Sequence, residues 1–336
     1  MKLQIMLIVV LLACLVSCKK QSRFDSEYPK HEIESICQKT SLTDFLKLNK
    51  KVTVELDNGV VAHQIYSYPP FLFIKNYRNL SQYLYDTRSK KMVRIGDVGK
   101  GPGEYVYLAS IAFLSPHEFY GLGSALKRIN KYRLDGENII CEDTLNINTE
   151  YGVWVDEIFY KNGNLYCNSF SGPAGTYQVV VYDNEMNIVN KFHKRRVESS
   201  AVVPVSLFYM DMIIFLSEYN YEQKKHHDSF IYIYSLNGDL LSKIDTHEHD
   251  LHELLIDKTG KYIFAVTEDK AKIFTIDGDL IHEVKRDQEL RPDCNPALRF
   301  MRTGKRYDDI IYGFQTDQPN VYQVNIYSCE IEEGTE

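Results

Sequence analysis

Lys272-Ile273-Phe274-Thr275-Ile276-Asp277-Gly278-Asp279-Leu280-Ile281 is the stretch that decides the fold. Asp277-Gly278 supplies the positive φ angles that a tight hairpin turn needs, and the apolar alternation on either side places one face inward. The unit recurs. Ile231-Tyr232-Ile233-Tyr234 turns through Asn237-Gly238 into Leu240-Leu241, and Lys131-Tyr132-Arg133-Leu134 turns through Asp135-Gly136 into Ile139-Ile140. Tyr83-Leu84-Tyr85 turns near Ser89 into Met92-Val93, Val179 to Tyr182 turns at Glu185 into Ile188-Val189, and Val321 to Tyr327 reads as a last copy turning near Ser328.

Taking Ser89, Gly136, Glu185, Gly238, Gly278 and Ser328 as pivots, the separations are 47, 49, 53, 40 and 50 residues. Such a period fits one four-stranded sheet per repeat, the unit of a β-propeller. Each gap supplies two more strands: Ile111 to Leu114 with Glu118 to Gly121, Ile158 to Tyr160 with Leu165 to Phe170, and Val202 to Phe208 with Met212 to Leu216. Helical periodicity is nearly absent. The expected fold is all-β, a six-bladed propeller of four-stranded antiparallel blades over residues 51–336. Val52-Thr53-Val54-Glu55-Leu56 stands before the first full blade and is expected to join the C-terminal blade, closing the ring and removing two open edges. A two-sheet sandwich would instead show seven to nine strands in about 100 residues.

The 336 residues, 44% hydrophobic and 25% charged, have the balance of a folded globular chain. A net charge of -7 is the wrong sign for coating a nucleic-acid backbone, so no nucleic acid is expected as partner. Lys2 followed by the apolar run Ile5 to Val16 is a secretion signal too short to span a bilayer. It ends in Leu15-Val16-Ser17-Cys18, which resembles the lipobox of bacterial lipoproteins. The resemblance implies cleavage after residue 17 and a lipid on Cys18, hence a membrane partner; an ordinary cleaved signal is the alternative. Lys19 and Lys20 follow, with no aspartate at the second mature position, which points to an outer-membrane lipoprotein facing the periplasm. Residues 18–50 are expected to be a polar tether, with Ser41-Leu42-Thr43-Asp44 capping a short helix through Leu48. The remaining cysteines, Cys37, Cys141, Cys167, Cys294 and Cys329, are odd in number and scattered, which indicates neither a disulfide scaffold nor a zinc site.

Ile95-Gly96-Asp97-Val98-Gly99-Lys100-Gly101-Pro102-Gly103-Glu104-Tyr105 is the most unusual stretch in the chain. A nucleotide loop needs Gly-Lys-Ser/Thr or a following helix, and here Lys100 precedes glycine and a strand follows. The pattern, placed after a hairpin, resembles that of the six-bladed propeller lipoproteins abundant in Bacteroidetes, related to TolB-like and NHL-repeat propellers. In those families such a segment links the outer strand of one blade to the inner strand of the next, so the resemblance implies a structural crossover.

Linkers of this kind gather on one face of a propeller, the usual entrance for ligands. Gly99 to Tyr105, Asn148 to Tyr151, His193 to Arg196, His247 to His252 and Arg286 to Arg291 are expected there. Glu104, Tyr105, Arg195, Arg196, His247, His249, Arg286 and Arg291 are the candidate ligand-binding residues, the four arginines as a basic rim for an anionic group. His247 to Glu253 lacks the spacing of a metalloprotease helix and reads as a polar loop. No Gly-x-Ser-x-Gly elbow occurs, and Asp156, Glu157 and Asp257 are the acidic candidates for an inner-strand funnel. The sequence therefore points to no catalytic residue, metal or cofactor. It favours an anchored module that binds an envelope protein, peptide or glycan; the alternative is a lyase or hydrolase acting on a carbohydrate or lactone.

Overall fold

The computed structural model describes residues 28–331, apart from 57–61, 63, 77–79, 124–126, 137, 148–152, 172–175, 197–205, 210–211, 217–229, 249–250, 252, 288–301, 305–309 and 316–320. Cys18, His249, Arg291 and the linker Asn148 to Tyr151 lie outside the described residues.

Among the described residues, twenty-four strands, numbered in chain order, form a ring of sheets. Blade 1 holds β2 (Gln64–Tyr68), β3 (Phe71–Lys75), β4 (Gln82–Asp86) and β5 (Lys91–Arg94); blade 2 holds β6 (Leu108–Ser115), β7 (Glu118–Gly123), β8 (Arg128–Asp135) and β9 (Asn138–Asn146). Blade 3 holds β10 (Val153–Lys161), β11 (Asn164–Ser171), β12 (Thr176–Tyr182) and β13 (Ile188–Arg196). Blade 4 follows with β14 (Ser206–Tyr209), β15 (Met212–Leu216), β16 (Phe230–Ser235) and β17 (Leu240–Asp245). Blade 5 has β18 (Glu253–Ile256), β19 (Tyr262–Val266), β20 (Lys270–Thr275) and β21 (Leu280–Lys285). All five are antiparallel meanders, as the hairpin period predicts.

The sixth sheet closes the ring. It runs β23 (Ile310–Gln315), β24 (Val321–Cys329), β1 (Leu46–Glu55), so the N-terminal strand is its outer strand. Val54 lies opposite Tyr322 and Val52 opposite Val324. The expected pivot at Ser328 does not exist. β24 runs straight through it, with Ser328 opposite Lys47, because β1 supplies the outer strand that a hairpin supplies elsewhere. A departure from pure antiparallel order is β22 (Arg302–Gly304), which adds in parallel to the inner edge of β2. It ties the end of the chain to the first blade across the closure.

The core lies between successive sheets. Tyr68, Phe73 and Leu84 of blade 1 pack on Leu108, Ile111, Phe119 and Tyr132 of blade 2. Val52, Val54 and Tyr322 of the closing sheet pack on Ile65, Leu72, Ile74 and Tyr85 of blade 1, which seals the ring with apolar burial. Of the tyrosines at matching hairpin positions, Tyr85, Tyr132 and Tyr182 are buried and Tyr234 is half-buried.

The segment read as a tether is largely packed. Helix α1 (Lys30–Gln38) and a 3-10 turn (Leu42–Phe45) lie along blade 5, with Tyr28, Ile36, Leu42 and Phe45 buried against Phe264, Val266 and Val284. A polar composition hid four well-spaced apolar residues. The helix expected through Leu48 ends instead as the 3-10 turn, where Asp44 accepts the backbone N–H groups of Thr40 and Ser41 at 3.0 Å each. Those bonds hold its carboxyl below the usual carboxylate range. Leu46 then starts β1. The strap covers the outer edge of β21: the Lys285 N–H donates to the Thr40 carbonyl at 3.1 Å, and Asp287 accepts Thr43 N–H and Oγ1. Covering that edge removes a template for pairing with another chain.

Candidate ligand-binding site

The described linkers between blades emerge on one face, where the inner strands begin. One of them is the glycine segment joining β5 to β6, and it is built upon itself. Gly103 sits at φ +75°, and a Cβ there would lie 2.7 Å from Cys141 Cβ, so no other residue fits without displacement. The Glu104 carboxylate folds back over the loop and accepts the Gly101 N–H; a Cβ at Gly99 would meet it at 2.1 Å. Arg128 of β8 supplies a fixed cation to the loop's carbonyls, donating to Lys100 O at 3.1 Å, to Gly101 O at 2.6 Å and to Glu104 O. Tyr132 donates its hydroxyl to Gly103 O at 3.0 Å.

Tyr105 is fully buried between blades 1 and 2, where its hydroxyl oxygen accepts the Gln82 N–H at 3.0 Å. Burial pushes its pKa up to about 12. As ligand-binding candidates, Glu104 and Tyr105 are therefore corrected: one carboxylate is spent on a glycine amide, and one phenol is core. The crossover role implied for this loop is the role its geometry performs.

The expected basic rim does not assemble among the described residues. Arg286 is buried at the head of blade 5, donating to Thr267 O at 3.0 Å and pairing with Glu253 at 3.4 Å. Arg195 and Arg196 belong to strand β13, opposite Tyr177 and Thr176, instead of to a linker. His247 is exposed at φ +51°, with its Nδ1 3.3 Å from Asp245 Oδ1. Beside it, Glu248 takes Lys270 at 2.8 Å and Lys272 at 2.6 Å, and these cations hold its carboxyl low against the opposing effect of burial. Charge at the head of blade 5 is thus largely paired internally.

Asp257 is buried at the opposite end of β18. It accepts Tyr262 N–H at 2.7 Å and Thr259 N–H at 2.8 Å, so it shapes the β18–β19 turn. Desolvation raises its pKa even so. Asp156 falls at a β-bulge in β10, between Val155 and Glu157. Among the described residues, no three His, Cys, Asp or Glu side chains converge as a metal site. Of the described cysteines, Cys37 is exposed, Cys141 half-buried, and Cys167 and Cys329 buried.

A residue the sequence did not single out organises the most distinctive environment on the linker face. Lys75 ends β3, level with Gln64 and Gln82 on the neighbouring strands, and its side chain is turned toward blade 2. Its Nζ donates to Ala109 O and lies 3.2 Å from the Tyr66 hydroxyl and 3.5 Å from that of Tyr107. It also stands 4.7 Å from the Tyr66 ring centroid, 5.4 Å from that of Tyr107 and 5.7 Å from that of Phe73. Desolvated cation–π contacts of this kind are worth about 2 kcal/mol. Tyr66 passes its own hydroxyl proton to Gln64 Oε1 at 2.8 Å. Tyr66, Tyr107 and Gln64 are each half-buried, so the buried ammonium has partly accessible aromatic and amide groups around it, beside β6 and the strand β2 that β22 flanks. Sequence carried little signal for it beyond a lysine closing the apolar run Phe71 to Ile74.

A closed ring of four-stranded meander sheets defines a β-propeller. The chain belongs to the DUF5128 family, described as a 6-bladed beta-propeller, whose model matches residues 43–249. No curated protein matches. Among solved structures it is similar to a Bacteroides fragilis NCTC 9343 protein described as a candidate exported protein, with a TM-score of 0.56 and 14% identity, covering 86% of this chain and 96% of that one. It is also similar to the Dos1 propeller, at TM-score 0.48, 12% identity and coverages of 79% and 77%. A luciferin-regenerating enzyme matches at TM-score 0.46 and 13% identity, covering 84% and 100%.

Proposed function

We propose that the protein is an exported lipoprotein of the cell envelope, anchored in the outer membrane through an acylated Cys18 with its propeller in the periplasm. Its propeller works as a non-enzymatic binding module for a peptide or glycan presented by the envelope. Support for export comes from the signal segment ending in Leu-Val-Ser-Cys and from the similarity to a propeller described as a candidate exported protein. It also fits the resemblance to Bacteroidetes propeller lipoproteins.

The observation that carries the binding reading is the Lys75 recess. Half-buried Tyr66, Tyr107 and Gln64 offer partly accessible aromatic and amide groups to a sugar or a peptide side chain, while the buried ammonium, spent on Ala109 O and the two tyrosine hydroxyls, holds the tyrosines in place. Binding to glycan and peptide arrays, followed by titration of the best hit, tests it. Tyr107→Ala is expected to weaken the interaction at least tenfold while leaving the melting temperature within a few degrees of the parent. Unchanged affinity in both Tyr107→Ala and Gln64→Ala would rule the recess out.

A further inference from the structure

Among the described residues, five of the eight exposed large apolar side chains fall together, while Leu48, Val98 and Ile140 lie elsewhere. Ile188, Val189, Leu240, Leu241 and Leu280, between 41% and 56% exposed, fall at the same place in three consecutive blades, the first positions of the outer strands β13, β17 and β21. They lie on the rim opposite the linker face. Isolated exposed leucines need no explanation, whereas a repeated, contiguous set marks an interaction surface. Contiguity is visible in the contacts: Asn190 donates its side-chain amide to Asn237 O at 2.7 Å, Phe192 packs against Gly238, and Gly278 lies beside Ile244. The turns of blades 3, 4 and 5 thus form one continuous edge.

Two further observations say what covers it. In β13 and β17, Val189 and Leu241 stand at β-bulges, out of the ladder, and exposed Lys191 and Lys243 follow in the same strands, Lys243 lying 3.9 Å over the Phe230 ring. Exposed apolar tips with basic residues further along the same strands suit a lipid interface, where hydrocarbon enters and lysine stems lie toward the headgroups. Three of the turn acids are engaged within the protein: Asp183 by Asn187, Asp239 by Ser235, and Asp277 by the Tyr28 hydroxyl at 3.1 Å. That last bond fixes where the N-terminal segment meets the body, on this same rim. Tyr28 is ten residues beyond Cys18, a reach of at most roughly 35 Å.

We infer that the rim formed by the outer-strand tips of blades 3 to 5 is a docking surface for the lipid bilayer that receives the acyl chains of Cys18. The inference rests on the lipoprotein reading above. The short reach from Cys18 to Tyr28 brings this rim to the membrane, the apolar tips enter the interface, and the linker face with its Lys75 recess is directed away toward the envelope space.

The test uses the full mature acylated chain, with acylation verified by mass spectrometry, on vesicles of phosphatidylethanolamine and phosphatidylglycerol carrying brominated acyl chains. Leu241→Trp and Val189→Trp report from the rim, and Val98→Trp, in the exposed part of the glycine segment, reports from the linker face. The emission of native Trp154 is subtracted using the parent protein. Flotation is expected in all cases, with a blue shift and loss of at least half the added emission at positions 189 and 241 and neither change at position 98. Flotation without quenching at 189 and 241, or equal quenching at 98, overturns the docking surface and leaves the anchor standing. A blue shift that needs no vesicles and grows with protein concentration would identify a second copy as the occupant and overturn it too. Failure of the acylated protein to float overturns the anchor and this inference with it.

Discussion

The Glu32 carboxylate accepts the Tyr262 hydroxyl at 3.0 Å and faces Lys261 Nζ at 3.3 Å, joining the N-terminal helix to a hairpin 230 positions further along the chain. Both Glu32 and Tyr262 are buried, and burial together with the neighbouring carboxylate pushes the tyrosine pKa up. A buried hydroxyl that loses its acceptor costs about 1–3 kcal/mol. Glu32→Ala is therefore expected to destabilise by that amount and to speed amide exchange in residues 30–45 while leaving blade 2 unchanged. Hydrogen exchange read by mass spectrometry checks this, and uniform acceleration across all blades would contradict it.

Ring closure depends on β1. Val54 is fully buried, opposite Tyr322, between the closing sheet and blade 1. A carboxylate placed there has neither water nor a counter-charge designed for it, and uncompensated buried charges cost several kcal/mol. Val54→Asp should cost more than about 3 kcal/mol and yield an aggregating protein, because opening the ring frees strand edges. Lys51→Asp, on the exposed side of the same strand, should stay within about 0.5 kcal/mol of the parent. Urea titration and size-exclusion chromatography of the pair give the comparison.

Two glycines in one loop should respond differently to the same added methyl. At Gly99 the obstacle is the end of the Glu104 side chain, which can swing away at the loss of one hydrogen bond to Gly101, about 1–2 kcal/mol. At Gly103 the obstacle is Cys141 Cβ, and the backbone is left-handed as well. Strain and overpacking then add, and Gly103→Ala is expected to cost about 2–4 kcal/mol. Denaturation midpoints that rank the two in the opposite order would refute this account of the loop.

Alkaline pH should reveal the buried phenols. Tyr105 has a folded-state pKa of about 12 against an ordinary value of 10.0, raised chiefly by desolvation. Its contribution is fully present below pH 10; as pH rises from 10 to 12 the unfolded chain loses its proton first, so the folded state loses roughly 2–3 kcal/mol over that window. Tyr132 and Tyr182 shift in the same direction for the same reason. Tyr105→Phe should flatten the decline in stability above pH 10 and, at pH 7, cost about 1–3 kcal/mol because the Gln82 N–H loses its acceptor. Chemical denaturation at a series of pH values provides the test.

Much of the fold was legible because its signals are local. A hairpin turn is encoded in two to four adjacent residues, as at Asn237-Gly238, and side chains alternate with a period of two whatever the rest of the chain does. Five of the six pivots follow from that, as does the need for a strand to close the ring. The errors fell where a local signal was weak or shared. Tyr28, Ile36, Leu42 and Phe45 were diluted by polar neighbours, and a strand terminus at Ser328 could not be told from a turn.

The functional surface was less legible, because it depends on which segments meet. Linker position alone could not show that Tyr105 points into the core, that Glu104 turns back on its own glycines, or that Arg286 is committed to Glu253 and Thr267. Nor could it show Lys75 among Tyr66, Phe73 and Tyr107. By itself the sequence determined the repeat, the hairpins and the closing strand, since each is a matter of neighbouring residues and backbone sterics. Only the tertiary structure decided which side chains are spent on packing and which remain at the surface, because burial and pairing are set by contacts between blades whose residues lie tens to hundreds of positions apart.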